Sequence, residues 1–374
     1  MFSDFDRFAM QRALTLAARG LETTDPNPRV GCVIAQHGRV IAEGWHERAG
    51  EAHAEIAALR AAGSQAAGAA VYVTLEPCSH QGRTPPCVAA LTEARVARVV
   101  YATADPNPLV NGQGAQALRE AGISVEAGLL AAEACELNPG FIKRMQQAVP
   151  FVRLKLAMSL DGRTALADGA SQWITGVAAR EDVQRWRARS SAILTGIGTV
   201  LADDPLLSVR LPSESEGRER RQPLRVVLDT QLRVPPAARL FAGGGEVLIL
   251  TARASPDDAR VAQLSARGAR VEWLPAAAER LALPAVLGRL AELEINEVLV
   301  EAGARLAGEF ITQSLVDELL LYVAPKLLGP QARALVQLPQ LTELAAAPQF
   351  ALLEMQQLGE DVRLRLRPPA PGAA

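Results

Sequence analysis

Short apolar runs of strand length alternate with amphipathic, helix-length segments along nearly the whole chain, and no other feature constrains the fold as strongly. Strands in that order are covered by the helices between them, which gives layered α/β domains with a mixed or parallel sheet. Asp4 to Arg19 brings Phe5, Phe8, Ala9, Leu14 and Ala17 near one helical face, and Gly20 stops the helix. Arg29 to Ala35 and Arg39 to Glu43 flank His37-Gly38 as a hairpin. His53 to Ala62, Pro86 to Ala94 and Gly114 to Ala121 read as helices, with strands at Ala69 to Leu75, Val96 to Ala102 and Ile123 to Glu126. A second series begins at Phe151. Its strands are expected at Phe151 to Ala157, Ala192 to Thr195, Leu224 to Asp229, Val247 to Thr251, Val271 to Leu274, Val298 to Glu301, Leu319 to Ala324 and Val362 to Arg367. Its helices are expected at Val177 to Ser190, Asp257 to Arg267 and Leu306 to Gln313.

A length of 374 residues predicts two or three domains, at roughly 150 residues each. The break falls between Met145 and Phe151, giving domains over 1–148 and 149–367 and a tail over 368–374. Pro212 to Pro223 reads as an exposed insertion.

One histidine and two cysteines carry the first chemistry. His53-Ala54-Glu55 opens a helix, Pro77-Cys78 ends a strand-like run, and Cys87 follows after eight intervening residues. An imidazole and two thiolates suit zinc, whose catalytic sites use three protein ligands and keep one position for water. Zinc lowers the pKa of its bound water to about 7, and a neighbouring glutamate that does not ligate can move protons. H-x-E with P-C and a later Cys is the arrangement of zinc-dependent base deaminases. His53, Cys78 and Cys87 are therefore the candidate ligands of one Zn²⁺ per chain, and Glu55 the candidate catalytic residue. Cys32, in an apolar strand, and Cys135, in a helix, read as core positions. His80 would close the water position if it ligated, so it reads as a substrate contact. The wide Cys78–Cys87 spacing departs from the commoner two-residue gap, and its donor-rich, proline-stiffened loop looks built to read a ligand.

These motifs resemble a known family. E-P-C-S-H-Q-G-R-T-P-P-C (Glu76 to Cys87), N-P-R-V-G (Asn27 to Gly31) and G-W-H-E-R-A-G-E-A-H-A-E (Gly44 to Glu55) look like the deaminase half of the bifunctional riboflavin-biosynthesis deaminase–reductases. K-L-A-M-S-L-D-G-R-T (Lys155 to Thr164), S-Q-W-I-T (Ser171 to Thr175), T-G-I-G-T-V-L-A-D-D-P-L-L-S-V-R (Thr195 to Arg210) and V-E-A-G-A-R-L-A-G-E-F (Val300 to Phe310) look like the reductase half. The resemblance implies a cytidine-deaminase-like α/β/α domain followed by a dihydrofolate-reductase-like α/β domain. It implies deamination of a diaminopyrimidinone carrying a ribosylamino 5′-phosphate, then NADPH-dependent reduction to the ribitylamino form.

By the same resemblance, Asn27, His46, His80 and the Gly82-to-Thr84 loop line the deaminase pocket. Asp105-Pro106-Asn107-Pro108 lies near it, or Asp105 and Asn107 simply form an Asx turn. Lys155, Ser171, Arg187, Leu207, Arg210 and Glu301 are implied as substrate contacts of the reductase. Ala157, Trp173, Thr199, Asp203, Thr230 and the run Gly303, Ala304, Arg305, Leu306, Ala307, Gly308 and Glu309 are implied as cofactor contacts. Physically, Gly303 and the helix after it offer backbone N–H groups to a pyrophosphate. Trp173 either faces the cofactor or fills the core. Arg187 and Arg210 either clamp a phosphate through their planar forks or decorate the surface.

Composition separates this reading from its rivals. A base deaminase acting on nucleic acid, with an appended binding module, predicts a basic, aromatic-studded surface. The net charge is −2 and aromatic residues make up 4%. A regulatory nucleotide-binding protein with structural zinc predicts a fourth ligand and no glutamate beside the metal. No run approaches ~18 apolar residues, so no membrane span is expected. Met1 to Asp6 lacks the features of a secretory signal and four cysteines are too few for a disulfide scaffold, so a cytoplasmic enzyme is expected. A small-molecule substrate is the expected partner, and a homo-oligomer is left open.

Overall fold

The computed structural model describes residues 1–79, 86–107, 111–212, 220–253, 259–277 and 280–369. The chain divides into two compact units, Met1–Val149 and Pro150–Ala374.

The first unit runs α1 (Asp4–Ala17), β1 (Gly31–Gln36), β2 (Arg39–Trp45), α2 (Ala54–Ala62), β3 (Ala70–Leu75), α3 (Cys87–Glu93), β4 (Arg98–Thr103), α4 (Gln113–Glu120), β5 (Ser124–Ala127), α5 (Ala131–Leu137) and α6 (Pro139–Gln147). A capping box starts α1: the Asp6 N–H donates to Ser3 Oγ and the Ser3 N–H to Asp6 Oδ2. His37 and Gly38, both at positive φ, close the β1–β2 hairpin, as a two-residue I′ turn requires. The sheet order is β2-β1-β3-β4-β5, with β1 antiparallel to its neighbours and β3, β4 and β5 parallel.

Strand periodicity sorts the core onto two faces. Cys32, Ile34, Val71, Val73 and Val99 pack with Ala54, Ala58, Leu91 and Leu118 of α2, α3 and α4. Val33, Tyr72, Val100 and Ala102 pack with Ala9, Met10 and Ala13 of α1 and Ala134 of α5. Glycine permits the closest approach. A Cβ on Gly31 would press on the Ala13 carbonyl and stand 2.7 Å from the Ala17 nitrogen, so α1 lies directly on β1.

The second unit runs β6 (Phe151–Ser159), β7 (Arg163–Ala165), α7 (Val177–Arg189), β8 (Ala192–Gly196), α8 (Ile197–Asp203), β9 (Leu224–Leu228), β10 (Val247–Thr251), α9 (Ala259–Ser265), β11 (Ala269–Trp273), β12 (Ala276–Ala277), β13 (Arg280–Leu281), α10 (Leu283–Glu292), β14 (Glu297–Glu301), α11 (Ala304–Thr312), β15 (Glu318–Ala324), β16 (Arg333–Ala334), β17 (Ala351–Leu358) and β18 (Asp361–Arg367). Nine strands form one sheet in the order β11-β10-β9-β8-β14-β6-β15-β18-β17. It is parallel from β11 to β15, and an antiparallel β17–β18 hairpin completes it. The parallel strands therefore end on one edge, where ligands of open α/β sheets bind. The expected helix from Asp257 is described only from Ala259. Positions 213–219 of the expected insertion and 370–374 of the expected tail lie outside the described residues.

Gly31→Ala places a methyl group against the α1 backbone. Overpacking of this kind costs typically 1–3 kcal/mol. The variant should melt several degrees below the wild type, by roughly 2–4 °C per kcal/mol for a unit of about 150 residues. An unchanged melting temperature, followed by circular dichroism, would show that α1 can retreat from β1 at no cost.

Candidate active sites

In the first unit, three ends of secondary structure converge. His53 is the N-cap of α2, where its extended backbone turns the ring out of the helix rather than along it. Pro77-Cys78 follows the end of β3, and Cys87 is the first residue of α3. His53 Nδ1 lies 3.2 Å from Cys87 Sγ and 3.6 Å from Cys78 Sγ, and all three ligand atoms fall within 4.8 Å of one another. The Cys87 N–H donates to Cys78 Sγ at 3.3 Å. The Cys87 thiol, then the His53 ring, pulls the Cys78 thiol down to about 4. Two thiols and an imidazole at this spacing fit Zn²⁺ and leave a coordination position unfilled by protein. Glu55, the second residue of α2, is buried at 4% exposure beside them, and burial raises its carboxyl above the ordinary range. Cys32 is fully buried, and Cys135 donates to Thr103 Oγ1, both outside the cluster.

The surrounding pocket is held by buried polar side chains. His46 Nδ1 lies 3.0 Å from the Ala52 carbonyl, so that nitrogen carries the proton. His46 Nε2 is then free to accept from Asn27 Nδ2 at 3.1 Å. Burial lowers the His46 pKa, which favours this neutral form. Its folded value lies below the unfolded one. The contribution to stability is thus present above about 6.5 and is lost as pH falls through the folded value. His46 and His53 meet edge to face at 5.5 Å.

Two residues here went unread in the sequence. The buried Asn138, between α5 and α6, accepts from the Arg29 N–H and donates to its carbonyl, pinning the segment that carries Asn27. Glu76, also buried, accepts from the backbone of Asp105, Gly112 and Ala115, tying the end of β3 to the loop after β4. Only their polarity at intended core positions could have marked them. Asn107 N donates to Asp105 Oδ1 at 2.9 Å, so the Asx turn is real. His80, the Gly82-to-Thr84 loop and Pro108 lie outside the described residues.

In the second unit an open cleft of about 1620 Å³ lies along the ends of β6, β14, β8 and β9. Ligand pockets commonly hold about 300–1,000 Å³, so this one has room for a dinucleotide and a second molecule. The second-half residues singled out above line it, except Ala307 and Gly308. Ala307 is in the core, and a Cβ on Gly308 would strike the Gln337 backbone. Gly308 therefore serves helix packing. Gly303 caps α11, whose first N–H groups open to the cleft through Ala304, Arg305 and Leu306. Trp173 is 63% exposed with Arg180 over its ring at 4.5 Å, which removes the core-packing alternative.

Arg187 departs from expectation. Its Nε and Nη2 donate to the two oxygens of Glu301 at 2.6 and 2.9 Å, and Nη1 donates to the Ser208 carbonyl at 3.1 Å. The Nε–Nη2 edge of its guanidinium is therefore paired with a carboxylate, while the residue still lines the cleft. Burial pushes the Glu301 carboxyl up, but Arg187 and then Lys155 outweigh it and hold it ionised. Lys155, paired in register with Glu301 on the adjacent strand, is lowered by burial. Asp204 and Leu207 sit at φ 40° and 51°, in the left-handed region that side chains other than glycine rarely adopt. Such strain of order 1–3 kcal/mol persists where a site's shape requires it.

Comparison with known proteins decides the family. Residues 150–364 match the RibD C-terminal domain, and residues 3–103 the cytidine and deoxycytidylate deaminase zinc-binding region. The riboflavin biosynthesis protein RibD of Escherichia coli K12 is 50% identical over 368 residues, covering 96% of this chain and 99% of the relative. This chain belongs to the RibD family. The Haemophilus influenzae RibD is 49% identical, with 98% of each chain covered. The Acinetobacter baumannii RibD structure superposes with a TM-score of 0.90 at 47% identity, covering 98% of this chain and 99% of that one. The deaminase–reductase structure from Thermotoga maritima gives 0.84 at 33%, with the same coverage. The chain is thus a bifunctional deaminase and reductase of riboflavin biosynthesis that uses Zn²⁺ and NADPH. No described helix is long and apolar enough to cross a membrane.

Cys87→Ala removes a donor from a three-ligand site. Purified full-length variant should lose most of its zinc by elemental analysis, with circular dichroism as the folding control. Full zinc content together with unchanged ammonia release would remove Cys87 from the ligand set.

Proposed function

We propose that the first unit hydrolyses the 2-amino group of 2,5-diamino-6-ribosylamino-4(3H)-pyrimidinone 5′-phosphate. The second unit then reduces the ribosylamino group of the product to ribitylamino. The convergence of His53, Cys78 and Cys87 on one point with Glu55 buried beside it carries the first half of this reading. His53, Cys78 and Cys87 would hold one Zn²⁺, which when bound supplies a Lewis acid that makes water nucleophilic at neutral pH. Glu55 takes a proton from the attacking water and delivers it to the departing amino nitrogen, so water is consumed and ammonia leaves. Asn27 and His46 orient the pyrimidine, and His80 contacts the substrate.

NADPH, when bound, supplies the hydride equivalent for the second step. Gly303 to Leu306, at the N-terminus of α11, would hold its pyrophosphate. Ala157, Trp173, Thr199, Asp203, Thr230 and Glu309 line its path. Lys155, midway along β6, and Glu301, at the end of β14, are paired in register and orient the opened ribose, with Lys155 holding the proton that its ring oxygen takes up. Ser171 and Leu207 shape the substrate end. Arg210 meets the 5′-phosphate, and Arg187 fixes Glu301.

The protein works in the cytoplasm on small molecules rather than nucleic acid, and a homo-oligomer stays open to test. The self-association reading rests on β17, an edge strand exposing Leu352, Leu353 and Met355.

Purified protein given the diaminopyrimidinone phosphate should release ammonia without NADPH and form the ribitylamino product only with it. Ammonia that waits for NADPH would overturn this order. Glu55→Gln keeps the volume and loses the proton. It should retain zinc while ammonia release falls by about 10²–10⁴-fold. A fall of less than about tenfold would take the shuttle away from Glu55.

A further inference from the structure

The cleft of the second unit holds several arginines, and most have an assigned partner. Arg187 is spent on Glu301. Arg180 lies over Trp173 and donates to the Thr175 carbonyl. Arg280 pairs with Glu309 at 3.0 Å. Arg333 faces the Asp203 carboxylate. Arg210 and Arg239 also line the cleft and are exposed to it, and among the described residues neither guanidinium makes a hydrogen bond or ion pair. Arg233 and Arg305 share that freedom, but Arg210 and Arg239 are set apart by how their backbones are joined.

The Arg239 N–H donates to Asp204 Oδ1 at 2.8 Å, and Asp204 begins the loop that ends at Arg210. That loop is fixed along its length. The Ser208 carbonyl takes an N–H of Arg187, Val209 exchanges two hydrogen bonds with the Gln222 amide, and the Arg210 N–H donates to Gln184 Oε1 at 2.9 Å. On the other side of Arg239, Leu240 is fully buried, and the buried Arg225 donates to the carbonyls of Leu240, Gly243 and Gly245. Two cationic side chains thus stand on rigid backbone facing one cleft. Burial and then Arg187 make the Arg210 charge costlier, and Arg239 adds a smaller like-charge contribution. The Glu301 carboxylate relieves part of that cost while its two oxygens are held by Arg187. Like charges so placed are complementary to a dianion, and guanidinium groups pair two phosphate oxygens at once.

We infer that Arg239 is the second cation of the substrate-phosphate site, acting with Arg210 on the 5′-phosphate during reduction. This rests on the proposed reduction of a phosphorylated ribosylaminopyrimidine. Arg187 contributes to that step by holding Glu301.

Full-length Arg239→Ala and Arg239→Lys should be assayed for reduction of the deaminated substrate and of its dephosphorylated form. Calorimetric binding of ribose 5-phosphate and of NADPH provides readouts independent of turnover. Hydrogen bonds involving charged groups contribute about 1.5–3 kcal/mol, so Arg239→Ala should raise KM for the phosphorylated substrate by roughly tenfold or more. It should weaken ribose 5-phosphate similarly, leave KM for the dephosphorylated substrate unchanged, and leave the NADPH Kd within about twofold of wild type by the same reasoning. Arg239→Lys should recover part of the loss. Equal weakening of both substrate forms, a loss confined to NADPH, or unaltered ribose 5-phosphate binding would overturn the assignment. Wild-type protein that binds ribose 5-phosphate but does not reduce the substrate would sink the reading of the reaction. The Arg239 assignment would then be decided by the binding comparison alone.

Discussion

Parallel strands end together, and both candidate sites depend on that constraint. In a parallel pair every chain leaves the sheet on the same edge, so loops far apart in sequence become neighbours. In the first unit β3 and β4 run in register from Ala70 opposite Arg98 to Leu75 opposite Thr103. That register brings Glu76 to the loop after β4 and places Cys78 just beyond it. In the second unit the pairing of Lys155 with Glu301 follows from the register of β6 against β14. A slip of β6 by one residue would turn Lys155 to the opposite face, away from Glu301 and the cleft.

Once the strand ends are fixed, buried charge sets the detail. A carboxylate taken out of water must be paired or hydrogen-bonded, and Glu76 and Glu301 meet that requirement in different ways. Glu76 is satisfied by backbone N–H groups and so acts as a brace. Glu301 is satisfied by one guanidinium and stays ionised beside a lysine whose own charge burial disfavours. Away from the cleft, Arg153 is almost wholly buried between Glu297 and Glu318 at 2.7 and 2.9 Å, and Arg365 also reaches Glu318. Replacing one member of such a set leaves an unpaired buried charge, so these groups constrain the sheet far more than exposed pairs do.

The sequence made the strands of both cores legible because their alternation is strong, and it made the zinc cluster legible because His, Glu, Pro and Cys at those offsets have few other uses. It was silent where the determining contact is tertiary. β17 is exposed along its length and shows no clean alternation, while α6 and α10 carry proline at their first and second positions and α8 spans only seven residues. Arg187 shows the limit most clearly. Its residue type and neighbourhood suit a phosphate, and nothing local reveals that a carboxylate on a strand more than a hundred residues later takes its fork. The alternatives for Trp173 likewise turn on exposure, which only the fold determines.

The wide gap between Cys78 and Cys87 acquires a physical meaning from the ends that bound it. When two ligating cysteines share a short turn, their separation is fixed by that turn. Here Cys78 belongs to the end of a strand and Cys87 to the start of a helix, and the two are joined locally by the Cys87 N–H to Cys78 Sγ and by the Val88 N–H to the Cys78 carbonyl. These bonds close the chain on itself at the ligands, so the intervening residues need not set the thiol spacing. Gly114 lets α4 approach the backbone of Pro77, bracing the first cysteine from behind. The metal geometry and the loop between the cysteines are thereby uncoupled. The strand end and the helix start, joined by these bonds, answer to the spacing of the thiols.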